Sequence, residues 1–280
     1  MPTVDVLIPT YRRKTALAMT LTSLLGQSWR DFAVTIADQT PAGERYVDDA
    51  ELRTVCDALR WHGIAVTIHH RPERRGLAEQ RDFLLGVASA PFVHFLDDDV
   101  LLDPPVLERM LRVLREERCG FVGAAATGLA FLHDVRPHQT RFFEPWDGPV
   151  APERFAPDAI PWDRHHVNSA ANPLHLERAL VRGDEVVRYK VAWVGGANVL
   201  YDRAKLLDVG GFGFWQRLPV EHAGEEALVQ VLLLRRYGGC AILPAGTYHL
   251  CLPTTVPDRG VNATSLLVAL LEEDEARAAR

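Results

Sequence analysis

The sequence predicts an α/β protein with a mostly parallel central sheet flanked by helices and interrupted by one loop-rich insertion. Two observations lead there. Over the first 130 residues, short apolar runs alternate with longer segments of helical period, the pattern of successive strand-helix-strand units. At 280 residues, with 48% hydrophobic and 24% charged side chains, the chain is also large and apolar enough for one sizeable core. It carries no internal repeat and no Gly/Ser-rich linker that would divide it.

The elements follow in order. Strands are expected at residues 4–8, 32–37, 64–69 and 92–96, each a short run rich in β-branched or aromatic residues. Helices are expected between them at 15–25, 45–61 and 77–88. A fourth helix at 104–117 has Asp103 in the N-cap place and prolines at its first positions, and it leads to a fifth apolar stretch at 120–126. From 131 to about 185 the periodicity fades and Pro, His, Trp and Arg accumulate, as in Phe142-Phe143-Glu144-Pro145-Trp146. A loop of that length in a compact domain reads as a binding element or lid, a disordered excursion being the other reading. Regular signals return at 186–194, followed by the Gly195-Gly196 pair and a short helix at 203–209. A helix at 225–237 closed by Gly238-Gly239, a last strand at 241–243 and a terminal helix from Thr264 complete the chain.

Composition removes several function classes. The formal charge is −6, from 31 basic and 37 acidic residues, so no cationic surface is available for a phosphate backbone and nucleic acid is excluded as a partner. The only lysines are Lys14, Lys190 and Lys205, which leaves little room for Schiff-base chemistry and makes arginine the phosphate-binding residue. The four cysteines are scattered with no C-x-x-C pair, which points to a reducing, cytoplasmic setting. The chain enters its first strand without a basic leader, and no run approaches the ~20 apolar residues of a membrane span, so an integral membrane segment is not expected.

In an open parallel sheet, ligands bind beyond the carboxyl ends of the strands. Those ends carry Pro9-Thr10-Tyr11-Arg12, then Asp38, then Arg71 and Arg74-Arg75-Gly76, then Asp97-Asp98-Asp99. On an extended chain Asp97 and Asp99 project to the same side, where two carboxylates can share a hard divalent cation, while Asp98 faces away. A solvated turn is the alternative. Glu225-Glu226 opens a helix, where the helix dipole alone accounts for acidic residues, but a loop-to-helix junction also suits a general base. His249 follows the last strand and either completes an Asp/Asp/His set or is structural.

Taken together, these motifs resemble the family 2 inverting glycosyltransferases. Residues 6–13 resemble that family's opening strand and nucleotide loop, 20–31 its first helix, and 36–40 its second strand with a base-contacting aspartate, here Asp38. The segment 74–82 resembles its N-x-G-x-a-x-A-R-N stretch at Gly76 and Arg81, with Arg74 and Asp82 in place of the usual asparagines. The aspartate triplet resembles the D-x-D motif, and Gly195-Gly196-Ala197-Asn198, Arg203, Gly210-Gly211-Phe212 and Gly224-Glu225-Glu226 resemble the acceptor half.

The resemblance implies a Rossmann-like GT-A fold forming a single domain over 1–280. Within it, 1–130 would be the nucleotide-sugar half, 131–185 the acceptor-side insertion, 186–250 the acceptor and catalytic half and 251–280 a tail helix. It implies transfer from a nucleotide-diphospho-sugar, with UDP as the expected nucleotide, to a hydroxyl of a saccharide or glycoconjugate. Glu226, or Glu225, would be the base. Asp97, Asp99 and His249 would hold Mn²⁺ or Mg²⁺. Pro9, Thr10, Tyr11, Arg12, Asp38, Arg75, Gly76, Arg81, Asp97 and Asp98 would meet the donor, and Gly196, Ala197 and Trp215 the acceptor. Trp146, Trp162, His165 and His166 of the insertion are expected to join them, because aromatic faces pack on sugar rings. A homodimer is compatible with this reading. Two rivals stay open: a phosphatase of the haloacid-dehalogenase type using Asp97 and Asp99, and a sugar-nucleotide-binding module without turnover.

Overall fold

A computed structural model of the chain describes residues 1–156, 158–195 and 197–278. Eight strands form one sheet: β1 (Val4–Thr10), β2 (Phe32–Asp38), β3 (Val66–His70), β4 (Phe92–Leu96), β6 (Phe121–Gly123), β8 (Val187–Tyr189), β9 (Asn198–Asp202) and β10 (Gly239–Leu243). Their order is β3-β2-β1-β4-β9-β6-β10-β8. β1, β2, β3 and β4 pair in parallel, as do β6 and β10. β9 runs antiparallel between β4 and β6, and β8 antiparallel beside β10. A second sheet, β5-β11-β7, joins β5 (Val100–Leu102), β7 (Thr127–Gly128) and β11 (Thr247–His249).

Helices cover both faces. α1 (Lys14–Leu25), α2 (Ala50–Trp61) and α4 (Val106–Glu117) send Leu17, Leu52 and Met110 onto the face that carries Val6 and Ile8 of β1. α3 (Leu77–Val87), α7 (Arg203–Asp208), α8 (Glu225–Tyr237) and α9 (Leu267–Ala278) cover the opposite face, where Leu7 meets Leu84, Leu206 and Leu228. The alternation of Val6, Leu7 and Ile8 between two cores is the period-2 pattern of a strand buried on both sides. In residues 131–185 the backbone is mostly irregular, with α5 (Pro137–Thr140), a 3₁₀ turn at Trp162–Asn168 and α6 (Asn172–Leu180).

Some expectations change. β9 was not expected as a strand, and of the stretch 186–194 only Val187–Tyr189 is one. α2 starts at Ala50 rather than at 45, behind a 3₁₀ turn at Ala42–Glu44. Asp103 does not cap α4. Gln27 does that work instead: its Oε1 accepts from Leu107 N (3.2 Å) while its Nε2 donates to Asp103 O (3.0 Å), and the Asp103 carboxylate accepts from Tyr248 Oη (3.0 Å). Among the described residues no helix is long and apolar enough to cross a membrane, and the four cysteines are free.

Candidate active site

The strand order turns back at β1 and β4, so their adjacent carboxyl ends open a crevice in which the nucleotide-loop, triplet and α3 residues meet. Thr10 closes β1, and its hydroxyl donates to Asp98 Oδ2 (2.6 Å) and lies 2.9 Å from Tyr46 Oη. Arg12 takes a left-handed backbone (φ 57°) and gives its N–H to Thr40 Oγ1 (2.9 Å). Its guanidinium turns outward to Glu44 (2.5 Å). The Tyr11 ring lies between the guanidinium carbons of Arg12 (5.2 Å) and Arg74 (4.7 Å). Pro9 is a buried member of β1 opposite Ala37.

Asp38 ends β2 fully buried. Its Oδ1 accepts from Thr40 N (2.9 Å), and its Oδ2 has no hydrogen-bond partner among the described residues. A buried acceptor without a donor is costly unless a ligand supplies one. Arg71 beside it is bound by both nitrogens to Glu79 (2.6 and 3.0 Å) and lies 3.9 Å from the Phe83 ring. Arg75 pairs with Glu73 on the surface (2.6 Å). Gly76 opens α3 at φ 96°, where an added Cβ would stand 2.7 Å from Val220 O and 2.8 Å from His222 Cε1. Only glycine fits this close approach of two loops.

The chain does not stay extended through the triplet. It turns at Asp98 and Asp99, and Asp97 stays close enough to Asp99 and His249 to feel the charge of both. Asp98 and Asp99 instead share Arg13, whose Nη1 lies 3.2 Å from Asp98 Oδ1 and 2.5 Å from Asp99 Oδ2. Burial pushes the Asp98 carboxyl up to about 7, against the pull of the Thr10 hydroxyl and Arg13. His249 Nε2 stands 3.5 Å from Asp99 Oδ2, a spacing that two ligands at ~2.1 Å on one ion can span. His249 Nδ1, however, accepts the backbone N–H of Cys251 (2.8 Å), which places a neutral ring's proton on Nε2.

No three His, Cys, Asp or Glu groups among the described residues form a closed cage for a metal. An open oxygen site suits Mg²⁺ or Mn²⁺ all the same, because such ions are commonly held by one or two carboxylates and completed by substrate phosphates. Asp99 fits that role. His249 fits it once the Cys251 N–H leaves Nδ1.

Asp97 lines the central cavity and meets Arg81 there. Arg81, on α3 and 2% exposed, donates toward Asp97 Oδ1 (3.2 Å), Glu225 Oε1 (3.2 Å) and Glu226 Oε2 (3.5 Å). Burial would lower the Arg81 guanidinium, but the three carboxylates hold it above its ordinary range. Burial raises Asp97, and burial with the neighbouring Glu226 raises Glu225 well above the carboxylate range. One guanidinium thus serves three acids, and the most enclosed of them, Glu225, is held toward its protonated form. Gly224, at φ 81°, turns the chain into α8 so that this pair begins its first turn.

Glu226 and Asp97 face a cavity of about 510 Å³, within the usual range for small-molecule sites. Its other walls include Trp162, His165, Trp193, His222 and Arg259. His222 is buried and ties its own loop to the start of α3, taking the Ala78 N–H on Nε2 (3.2 Å) and giving its Nδ1 proton to Pro219 O (2.8 Å).

Trp215 does not line this cavity. Its indole N–H is held by Asp82 (3.0 Å) and the ring packs against the core beside α3, so Trp193 takes the place expected for it. Trp146 is also drawn away, under Lys190 (5.0 Å), and His166 lies against Phe142 rather than in the cavity wall. Ala197 serves through its carbonyl, which accepts the Asp97 N–H (3.0 Å), and Gly196 lies outside the described residues. Arg13, Trp193 and His222 were missed. For Arg13 the signal was its place directly after Tyr11-Arg12 in the nucleotide loop.

The fold has counterparts in known proteins. The mannosyltransferase PcManGT from Pyrobaculum calidifontis, solved in complex with GDP-Man and Mn²⁺, is 17% identical over 100% of this chain and 64% of its own, with a TM-score of 0.53. S. aureus TarS 1-349, solved in complex with UDP-GlcNAc, is 14% identical over 91% of this chain and 60% of its own, with a TM-score of 0.57. The chain thus spans about three fifths of the length of these structures. No curated protein matches it in sequence. The family model for glycosyl transferase family 2 matches residues 5–155, more than half of the chain. The chain therefore belongs to glycosyl transferase family 2 and has the GT-A fold.

Proposed function

We propose that the chain transfers a sugar from a nucleotide-diphospho-sugar, with UDP as the nucleotide, to a hydroxyl acceptor, inverting the anomeric configuration. The observation that carries this reading is the Glu226 carboxylate on the wall of the 510 Å³ cavity, held from below by Arg81 beside a proton-retaining Glu225.

Glu226 takes the proton of the acceptor hydroxyl. The freed oxygen forms its bond to the anomeric carbon from one side while the bond to the diphosphate oxygen breaks on the other, and this single displacement inverts the centre. Arg81, 3.5 Å away, orients the Glu226 carboxylate through charge-assisted contact. At the nucleotide end, the partnerless Asp38 Oδ2 accepts an N–H of the base edge, and Thr10 and Asp98 meet the ribose. Tyr11, Arg12, Arg75 and the loop at Gly76 frame the donor. Asp99, with Asp97 and His249, would hold a divalent cation, which when bound would supply positive charge to the departing diphosphate. The dehalogenase-like reading has less support, because Asp97 is engaged by Arg81 rather than poised as a nucleophile.

Calorimetry with UDP and with GDP, each with Mn²⁺ and with Mg²⁺, tests the donor and metal parts together. UDP is expected to bind only with metal, and Asp99→Asn to weaken it by about tenfold or more. Equal affinity with and without metal in both proteins would remove the metal from the reading.

A further inference from the structure

A second cavity, of about 710 Å³, adjoins the first within the insertion, and Trp162 lines both. Its walls include Arg141, Phe142, Phe143, Pro161 and Arg164. Its chemistry suits a sugar: aromatic faces lie beside planar hydrogen-bonding groups. Its charge is also balanced. Arg164 pairs with Glu144 (2.7 Å) and Glu153 (3.0 Å), and Glu144 pairs again with Lys190, so this floor holds little net charge to attract an anion. Arg141, exposed, lies with its guanidinium carbon 4.7 Å from the centre of the Phe142 ring.

On the near side of Trp162 the wall is ordered for a ring as well. His165 gives its Nδ1 proton to Trp162 O (2.6 Å) and lies parallel to the Trp193 ring, with planes 10° apart and centres 5.7 Å apart. That arrangement leaves His165 Nε2 as an acceptor on the wall of the cavity that contains Glu226.

We infer that the acceptor is a neutral oligosaccharide rather than a monosaccharide. Its terminal unit sits against Trp162, His165 and Trp193 with a hydroxyl at Glu226, and the next unit sits beyond Trp162 on Phe142 and Arg141. This rests on the transferase reading above and adds the acceptor class to it.

The test measures nucleotide release with gluco-, manno- and β-1,4-linked N-acetylglucosamine oligomers of one to four units. In one series kcat/KM is expected to rise about tenfold or more from one unit to two. Phe142→Ala and Arg141→Ala should each cut that gain severalfold while leaving monosaccharide turnover and nucleotide affinity within about twofold. Arg141 is exposed, so its variant remains informative if Phe142→Ala is unstable.

Length-independent rates in every series, absence of turnover with all three, or a gain that both variants leave intact would overturn the inference. A sugar phosphate outperforming its neutral counterpart would do the same. Intact metal-dependent nucleotide binding alongside any of these results sinks only the acceptor assignment, whereas loss of nucleotide binding sinks the transferase reading itself.

Discussion

Replacing Arg81 by methionine probes the centre of the structure. The change keeps most of the apolar stem and removes the guanidinium that stands 3.2–3.5 Å from Asp97, Glu225 and Glu226. A surface ion pair would contribute ~0–1 kcal/mol, but Arg81 is 2% exposed and faces Asp97 and Glu226 across the floor of the cavity, so the relevant figure is that for removing one partner of a buried pair, about 3–5 kcal/mol. At about 2–4 °C per kcal/mol, Tm should fall by roughly 6–20 °C.

The loss must also depend on pH with a definite sign. Without Arg81 the Asp97 and Glu225 carboxyls, already raised by burial, have folded pKa values raised further above their unfolded values. Raised acids are protonated in the folded state, so their contribution is present in acid and is lost as pH rises through the folded pKa. The deficit of Arg81→Met relative to the parent should therefore be smaller at pH 5.5 than at pH 8. Urea unfolding at both pH values, followed by circular dichroism, measures it. A deficit below about 1 kcal/mol at both, or one that shrinks toward pH 8, would refute the reasoning.

Three further outcomes are expected. Glu225→Gln should keep transfer within about tenfold of the parent, because burial already keeps that carboxyl protonated and glutamine reproduces its neutral shape; steady-state rates decide this. Gly76→Ala should cost about 1–3 kcal/mol in urea unfolding and weaken nucleotide binding, since the φ of 96° is strained for alanine and Val220 O stands 2.7 Å from the new Cβ. His94 is buried against Asn198, and burial lowers its pKa to about 4. A lowered histidine contributes stability above its unfolded pKa that is lost as pH falls toward the folded one, so His94→Gln should flatten the acid decline between about pH 6.5 and 4 by up to ~3 kcal/mol. Parallel pH-stability curves for the two proteins would count against that assignment.

The first four strands and the helices between them were legible because each satisfies its own periodicity locally. β9 was not. Its five residues become a strand only by bridging β4 and β6, which lie far away in sequence, and β5 and β11 are three residues long, too short to show alternation. Asp103 misled as a cap because Gln27, 76 residues earlier in the chain, reaches α4 first. At the site, the positions of Asp97, Glu225 and Glu226 were readable from strand ends and motif order. Their convergence on Arg81 was not, since it requires the first turn of α8 to come within side-chain reach of α3, some 145 residues earlier in the chain. The turn that hands Asp98 and Asp99 to Arg13, and the Asp82 contact that removes Trp215 from the cavity, are likewise tertiary choices with no local signature.

The central claim is that Glu226 is the base of an inverting sugar transfer, and Glu226→Gln tests it most directly. Donor affinity by calorimetry and transfer rate should be measured on the same preparation. The account predicts donor affinity within about threefold of the parent and a transfer rate lower by about 10²–10⁴, the range general-base catalysis supplies. A variant that binds donor normally and retains more than about a tenth of the rate contradicts it.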